Sequence, residues 1–325
     1  MLRVLVSHHL EDRFREIIIE VLAGRAQLLF LQDLPENRRE AAVEGAEIIL
    51  SWSPAKEFLP EEFTSMRRLS LLQLITAGAE HIPFRSVPEQ AQIACNPGAF
   101  AAAMAEHILG MLLSLAKRLC PNNAGLARGD FDQTTRSRII RGLSCGVLGF
   151  GGIGQAAAAL LRAVGLKILA VNTSGKTTEP VEFAGTLDDL EYVLENSDVL
   201  LVSLPLTLRT RGLIGKRELA RMKPDAILIN VARGAIIDEE ALYDHLVQNP
   251  DFCAAIDTWW IEPSMGGVFM VNFPFFKLPN FLGSPHNSAI APGVMSEAMR
   301  AAAENVVRFI EGETIRGEIN RKDYI

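Results

Sequence analysis

Short apolar runs alternate with amphipathic stretches along the whole chain. In the first third, the apolar runs predict five β-strands, at residues 2–6, 27–31, 48–52, 71–75 and 93–95. Residues 13–22 have the apolar spacing of an amphipathic helix. Because strands that alternate with helices form parallel sheets covered by helices, this part of the chain predicts a small doubly wound domain.

A second series of strands begins near residue 145. Its predicted strands lie at 145–148, 167–171, 199–204, 227–231, 253–256 and 281–283. Between the two series, an Ala-rich segment at 101–119 predicts a buried helix, and the polar segment 120–140 predicts an extended arm. A helix at 293–311 and a charged tail at 314–325 follow the second series. The pattern therefore predicts two doubly wound α/β domains.

Composition and charge exclude several classes of protein. Of 325 residues, 49% are hydrophobic and 22% are charged, so a large core can form. The net charge of −7 opposes binding to nucleic acid, and the basic residues at 136, 138 and 141 are interpreted as a solvated part of the arm. The four cysteines are too far apart for a C-x-x-C pair, which indicates reduced thiols. With no apolar run of about 18 residues and no signal-peptide pattern, we expect no membrane span and a cytoplasmic location.

A glycine-rich turn follows the first strand of the second series and opens an Ala-rich helix at 155–164. Its residues are Gly149, Gly151, Gly152, Ile153 and Gly154. Gly149 permits the tight turn, Gly151 permits a pyrophosphate to approach the backbone, and Gly154 permits close packing of helix on sheet. The alternative is a simple glycine-rich turn, but the strand, the helix and a second strand ending about 20 residues later favour a dinucleotide site.

The residue after that second strand bears on the choice of cofactor. An NAD site usually places Asp or Glu there, on the ribose 2′-hydroxyl, but this chain has Asn172. Thr173, Ser174 and Lys176 supply hydroxyls and a cation where a 2′-phosphate would lie. We therefore expect NADP to be preferred. An NAD site that uses Asn172 as a neutral ligand is the alternative.

Three residues suit the reduction of a small 2-keto acid. Arg233 can bind the carboxylate bidentately and polarise the adjacent ketone. His286 can give a proton to the developing alkoxide, and Glu262 would fix the imidazole and favour its protonated form. Each of these residues alone could be incidental. All three fall at or after the carboxyl ends of predicted strands, where doubly wound folds bind their ligands.

The chain resembles the D-isomer-specific 2-hydroxyacid dehydrogenases in an ordered set of motifs. The matching stretches are Ala77-Gly78-Ala79-Glu80-His81-Ile82, Asn96-Pro97-Gly98, Ala105-Glu106, Leu204-Pro205-Leu206-Thr207 with Thr210, Met222-Lys223-Pro224, Ile229-Asn230-Val231-Ala232-Arg233-Gly234, Ala255-Ile256-Asp257, Ile261-Glu262-Pro263 and Ser284-Pro285-His286. These matches extend over essentially the whole chain.

The resemblance implies roles for further residues. It places Leu204, Pro205, Asp257 and the backbone of Val231 at the cofactor, and it assigns Arg233, Glu262 and His286 the same catalytic roles. It places the backbone of Ala77 and Gly78 at the substrate carboxylate. It also implies a homodimer that pairs through the cofactor domain.

Several features depart from the family pattern. Phe100 stands where the family often has Asn, and Asn287-Ser288 replaces an apolar–small pair. The segment between Glu262 and His286 is a few residues longer than expected, and the stretch 259–276 is rich in Trp and Phe and carries Gly266-Gly267. This aromatic stretch is interpreted as core packing, or alternatively as a lid or pocket wall. Trp52 is a second candidate for a wall of the substrate pocket.

We predict a Rossmann cofactor domain at 101–290 and a flavodoxin-like, discontinuous substrate domain formed by 1–100 and 291–325. An active site in the cleft between them would close over the substrate. Phosphoglycerate dehydrogenase is an enzymatic alternative, and a cofactor-sensing corepressor of the same fold is a non-catalytic one. Histidines 8, 9, 81, 107 and 245 are not spaced as ligands, so no metal is expected.

Overall fold

The chain forms two compact units in the computed structural model, which describes residues 1–263 and 268–325. One unit consists of Met1–Phe100 and Ala291–Ile325, and the other is Ala101–Ile290. Each contains a parallel sheet with helices. The predicted fold class, two doubly wound α/β domains, is confirmed.

The first unit is built on a five-stranded sheet in the order β2-β1-β3-β4-β5, which is the flavodoxin-like order. Its strands are β1 (Arg3–Val6), β2 (Gln27–Phe30), β3 (Ile48–Ser51), β4 (Leu71–Leu74) and β5 (Gln92–Ala94). Its first helices are α1 (Asp12–Leu22), α2 (Glu36–Glu44), α3 (Pro54–Glu57) and α4 (Pro60–Ser65). All residues of β3 and β4 are buried, because helices cover both faces of a parallel sheet.

The second unit is built on a seven-stranded sheet in the order β12-β11-β10-β9-β6-β7-β8. Its strands are β6 (Ser144–Leu148), β7 (Lys167–Val171), β8 (Phe183–Gly185), β9 (Val199–Val202), β10 (Ile227–Asn230), β11 (Cys253–Ile256) and β12 (Phe281–Gly283). Its helices are α5 (Ala101–Ala116), α6 (Leu119–Ala127), α7 (Gly152–Ala163), α8 (Leu190–Asn196), α9 (Lys216–Arg221) and α10 (Glu239–Gln248). The order from β8 to β11 is that of a Rossmann sheet, and β12 extends it.

The last helix, α11 (Val294–Ile310), belongs to the first unit and packs against α1. Its buried residues include Ala298, Met299, Ala302 and Val306, whose spacing places them on one face of a helix. Amphipathic spacing therefore specifies which side of α11 enters the core of the first unit.

The structure corrects the prediction for residues 101–140 in two respects. The Ala-rich helix ends at Ala116, and the segment predicted as an extended arm begins with the helix α6. Arg118 separates the two helices in the left-handed region, with φ of 55°. Pro121 lies in the first turn of α6, where the missing N–H of proline leaves no helical hydrogen bond unmade. The short strand β8 was not predicted either, because three residues are too few for a periodic signal.

Candidate active site

The candidate catalytic residues lie in loops at one edge of the seven-stranded sheet. The strands β6, β9, β10, β11 and β12 are parallel and adjacent in space, so their carboxyl ends meet at this edge. Gly149 follows β6, Arg233 follows β10, Asp257 follows β11 and His286 follows β12. The sheet thus brings together residues that are far apart in sequence.

Glu262 and His286 form a close pair. The Oε2 atom of Glu262 lies 2.8 Å from Nδ1 of His286. The other carboxylate oxygen, Oε1, accepts a hydrogen bond of 2.7 Å from the backbone N–H of Trp259. The side chain of Glu262 is 7% exposed and that of His286 is 42% exposed. A buried carboxylate therefore orients an accessible imidazole, which is the arrangement a proton-donating histidine requires.

The backbone of His286 is strained, and Asp257 holds the surrounding loop. The φ of His286 is +50°, in the left-handed region that a residue with a side chain adopts at a cost of about 1–3 kcal/mol. The Asp257 carboxylate is fully buried and accepts hydrogen bonds from the N–H groups of Asn287 (3.1 Å) and Ser288 (3.2 Å). It also accepts from the hydroxyl of Ser284. Asp257 thus fixes the loop on both sides of His286.

Two more side chains support this loop, and sequence reasoning gave a role in catalysis to neither. Nε2 of His107, in α5, lies 3.1 Å from the hydroxyl of Ser284 and 3.8 Å from the Asp257 carboxylate. The indole N–H of Trp259 donates to the carbonyl oxygen of Ser284 at 2.8 Å. No local sequence signal identifies either contact, because each joins elements distant in the chain.

The turn that carries Arg233 is built by its neighbours. The buried Asn230 donates to the carbonyl of Arg233 (3.0 Å) and accepts from the N–H of Ala232 (3.0 Å). A Cβ on Gly234 would lie 2.4 Å from the carbonyl carbon of Trp259, so glycine is required for this close approach. The turn of Arg233 consequently packs against the segment that leads to Glu262. Asn230 was quoted within a motif, but its structural role was not predicted.

The glycine-rich turn has the geometry that a dinucleotide requires. Gly149 has φ of +98°, and a Cβ on Gly154 would lie 2.2 Å from the carbonyl oxygen of Gly149. A Cβ on Gly151 would meet nothing within 4 Å, so the backbone there is open. Helix α7 begins at Gly152, and its first N–H groups have no partner within the helix. These residues fit a pyrophosphate at a helix N-terminus.

Other residues predicted at the cofactor lie on loops beside this turn. Ser203, just after β9, donates to the carbonyl oxygen of Gly149 at 2.8 Å, and Thr210 donates to the carbonyl of Pro205 at 2.7 Å. These bonds hold the segment that contains Leu204 and Pro205. Val231 follows β10 and is buried. Contacts of Leu204, Pro205, Val231, Ile153 and Asp257 with a cofactor remain predictions.

Asn172 organises the loop that follows β7. Its Oδ1 atom accepts hydrogen bonds from the N–H groups of Ser174 (3.0 Å) and Gly175 (2.8 Å), and Nδ2 donates to the carbonyl of Lys176 (2.8 Å). The side chains of Thr173, Ser174 and Lys176 are exposed. The Asn172 side chain thus forms its hydrogen bonds within its own loop. A contact between Asn172 and a ribose remains a prediction.

The predicted substrate residues Trp52, Ala77 and Gly78 lie in the first unit. Trp52 follows β3 directly and is partly buried, and residues 76–78 follow β4. The ring nitrogen Nε2 of His81 lies 3.2 Å from the carbonyl oxygen of Trp52, so the two loops are joined. The hydroxyl of Thr76 donates to the carbonyl of Gly78 at 3.1 Å.

The aromatic stretch has a buried and an exposed part. Trp259 is 3% exposed and Phe275 is fully buried, with the Trp260 ring stacked 5.6 Å from Phe275. Phe269 and Phe276 are exposed, although both rings contact that of Trp259. Core packing accounts for the buried rings, and the exposed rings leave the prediction of a pocket wall open. Gly266 and Gly267 lie outside the described residues.

Residues 1–263 and 268–325 show neither a cluster of metal-ligating side chains nor a membrane-spanning helix. No group of three or more His, Cys, Asp or Glu side chains in this part of the chain could hold a metal ion. Within the same residues, no helix has the length and apolarity needed to cross a bilayer.

Comparison with known proteins identifies relatives of the chain. Residues 109–288 match the profile described as D-isomer specific 2-hydroxyacid dehydrogenase, NAD binding domain. The chain is 27% identical to D-3-phosphoglycerate dehydrogenase of Methanocaldococcus jannaschii over 98% of its own length, but it spans only 60% of that relative. It is 30% identical to hydroxypyruvate reductase of Thermotoga maritima, over 75% of this chain and 77% of the relative.

A solved structure has the same fold as this chain. A candidate formate dehydrogenase from Pyrobaculum aerophilum superposes with a TM-score of 0.81 at 27% identity, and 100% of each chain is covered. The matched profile extends over more than half of the chain and contains the glycine-rich turn, Arg233, Glu262 and His286. The predicted family is confirmed: the chain belongs to the D-isomer specific 2-hydroxyacid dehydrogenases, a family of nicotinamide-dependent oxidoreductases, and contains their NAD-binding domain.

Proposed function

We propose that the protein reduces a small 2-keto acid to the D-2-hydroxy acid, and oxidises the hydroxy acid in the reverse direction, in the manner of a glyoxylate/hydroxypyruvate reductase. The observation that carries the proposal is the 2.8 Å pair of Glu262 and His286. This pair lies at the sheet edge that also carries Arg233 and the glycine-rich turn. Reduction of a keto acid needs a carboxylate ligand, a proton donor and a site for the hydride donor, and these features can supply all three.

Each side chain has a distinct task in this mechanism. Arg233 binds the substrate carboxylate through its planar fork and polarises the neighbouring carbonyl group. His286, with Nδ1 directed to Glu262, presents Nε2–H to the carbonyl oxygen and donates the proton as the alkoxide forms. The Glu262 carboxylate stabilises the imidazolium and prevents rotation of the ring. In the oxidation of a hydroxy acid, neutral His286 accepts the proton.

The cofactor site fits a nicotinamide dinucleotide, which when bound supplies or accepts the hydride. The turn at Gly149–Gly154 and the start of α7 would hold the pyrophosphate. We propose NADP as the preferred cofactor and NAD as the alternative. The proposal rests on the absence of a carboxylate at position 172 and on the exposed side chains of Ser174 and Lys176 in the loop that Asn172 organises.

The first unit contributes to substrate binding in this proposal through the backbone of Ala77 and Gly78 and the indole of Trp52. We further propose a cytoplasmic homodimer. Exposed apolar side chains on α6 and the following arm support an interface in the second unit. They are Leu119, Leu126, Phe131 and Ile139, each more than half exposed. Light scattering of the purified protein tests the dimer.

A substrate panel tests the proposed activity. Glyoxylate, hydroxypyruvate, 3-phosphohydroxypyruvate and larger keto acids are each offered with NADPH and with NADH. A preference for the phosphorylated substrate would favour the phosphoglycerate dehydrogenase alternative, which the Methanocaldococcus jannaschii relative motivates. Tight cofactor binding without turnover of any keto acid would overturn the proposal and favour a cofactor-sensing corepressor.

A further inference from the structure

The hydroxyl of Ser284 links two ionisable side chains beside the loop of His286. It donates to Oδ1 of Asp257, and Nε2 of His107 lies 3.1 Å from the same hydroxyl oxygen. His107 is in α5, which packs against β11 and β12, and its side chain is 26% exposed, whereas that of Asp257 is fully buried. All four residues belong to the second unit. A partly exposed imidazole is therefore connected through one hydroxyl to the buried carboxylate that holds the loop.

The protons in this chain of contacts have a defined direction. The Asp257 carboxylate accepts hydrogen bonds from the N–H groups of Asn287 and Ser288, so it acts as an acceptor. The single hydroxyl proton of Ser284 therefore lies toward Asp257, which leaves the Ser284 oxygen to accept from Nε2–H of His107. A neutral ring that is protonated on Nε2 and a doubly protonated ring both supply this donor. The direction consequently does not depend on the charge of His107.

We infer that His107 is a positioning residue for the proton donor His286. With the Nε2–H of His107 on its oxygen, the Ser284 hydroxyl is kept directed at Asp257, and the bond between them is strengthened because a hydroxyl that accepts is a better donor. Asp257 in turn holds the two amides that follow His286, whose backbone has the strained φ of +50°. The inference rests on the proposed function, since it concerns the orientation of the proposed proton donor.

The expected effect of losing His107 is bounded by one hydrogen bond. A bond that is made only while the loop keeps its left-handed form shifts the equilibrium between that form and a relaxed one by its own value. For a neutral hydrogen bond this shift is about three- to tenfold. The loss should appear in the rate of reduction and not in binding of the keto acid, because Arg233 binds the substrate carboxylate in the proposed mechanism.

Two substitutions of similar length test the donor. H107M removes the ring N–H, and H107Q supplies a side-chain NH₂ group, while both new residues favour a helix. H245M is the matched control, because His245 is also partly buried on a helix of the second unit. For each variant, we measure single-turnover reduction of hydroxypyruvate, KM for hydroxypyruvate and the dissociation constant of the cofactor, and the melting temperature checks folding. In the free protein, the ¹⁵N chemical shifts of the His286 ring report whether Nδ1 still faces Glu262.

We expect H107M to lower the single-turnover rate about three- to tenfold, to leave KM and the cofactor dissociation constant within about twofold, and to shift the ring signals of His286. H107Q should recover most of the loss, and H245M should resemble the wild type. In S284A, which lacks the connecting hydroxyl, H107M should cost almost nothing more.

Four results would each overturn the inference while the proposed function stood. They are a loss in H107M below about threefold, a loss that H107Q does not recover, the same loss in the S284A background, and unchanged ring signals of His286. A wild-type protein that reduces no keto acid would instead overturn the proposed function, and the ring signals of His286 would still test its dependence on His107.

Discussion

Replacement of Glu262 by Gln tests the proton-donating pair most directly. The two carboxylate oxygens of Glu262 have different partners, the Trp259 N–H at 2.7 Å and Nδ1 of His286 at 2.8 Å. Glutamine has the same shape, but it offers one acceptor oxygen and one donor NH₂ group. It can therefore satisfy only one of the two partners, since both require an acceptor when His286 is protonated.

The size of the effect on the rate depends on which of two orientations the glutamine amide adopts. If its oxygen stays on the Trp259 N–H, the NH₂ group faces Nδ1 and opposes the imidazolium. If the amide is reversed, the buried N–H of Trp259 loses its acceptor at a cost of about 1–3 kcal/mol. In both cases His286 loses its bond to an ionised carboxylate, and where the NH₂ group faces Nδ1 the loss is the full value of a charge-assisted bond, about 1.5–3 kcal/mol. At 1.36 kcal/mol for each factor of ten, we expect roughly a 10- to 160-fold lower rate of reduction. The lower end applies if water replaces the lost acceptor, because His286 is 42% exposed.

Single-turnover reduction of a keto acid by bound NADPH or NADH measures this rate apart from product release. The dissociation constant of the cofactor, measured by fluorescence, should change little in E262Q. Glu240, exposed on α10, provides the control variant E240Q. In a background of H286F, E262Q should cost almost nothing more, since Glu262 acts through the imidazole. A single-turnover rate within about threefold of the wild type would refute the role of Glu262.

Three further predictions concern other sites. R233K keeps the charge but loses the bidentate fork, so we expect KM for the keto acid to rise at least about tenfold while the affinity for the cofactor stays constant. Equal losses of affinity for the keto acid and for the cofactor would indicate that Arg233 has a structural role. We expect the wild type to favour NADPH over NADH by roughly tenfold in kcat/KM. N172D should reverse this order, and K176A should lower kcat/KM for NADPH without changing that for NADH. A wild type that prefers NADH would contradict the argument. E57Q should lower the free energy of unfolding at pH 7 by about 1–3 kcal/mol, because the Glu57 carboxylate accepts four hydrogen bonds from hydroxyl and backbone N–H groups. Because the folded-state pKa of Glu57 is lowered, this difference should shrink as pH falls below the unfolded value of about 4.3, and chemical denaturation at several pH values measures it.

Sequence patterns predicted residues whose roles follow from the strand or turn in which they lie. The glycine-rich turn could be predicted because Gly149 needs a positive φ and Gly154 a close approach, and both follow from the strand–turn–helix itself. Arg233 and His286 could be predicted because residues that follow parallel strands gather at one edge of a sheet. The helix α6 was missed because it contains Pro121 and Gly125, together with two asparagines, and all of these residues have low helix propensity.

Contacts that depend on pairing between distant strands could not be predicted. Asp257 reaches the amides of Asn287 and Ser288 because β11 pairs with β12 in the register Ile256 to Gly283. Glu57 likewise meets Ser7, 50 positions earlier, because β1 and β3 are neighbours. A sequence gives the strands but not their register, so the partners of these buried carboxylates appear only in the folded structure.

The two buried carboxylates near His286 constrain it in different ways. Glu262 contacts the ring, so it fixes the orientation of the imidazole. Asp257 contacts the flanking backbone amides, so it maintains the left-handed conformation that aims the ring. A histidine with φ of +50° would relax toward ordinary backbone angles if these amides lost their acceptor, and the ring would leave the reach of Glu262. The placement of the proposed proton donor therefore depends on Asp257, and the orientation of its ring depends on Glu262, so we expect loss of either carboxylate to reduce proton transfer for a separate physical reason.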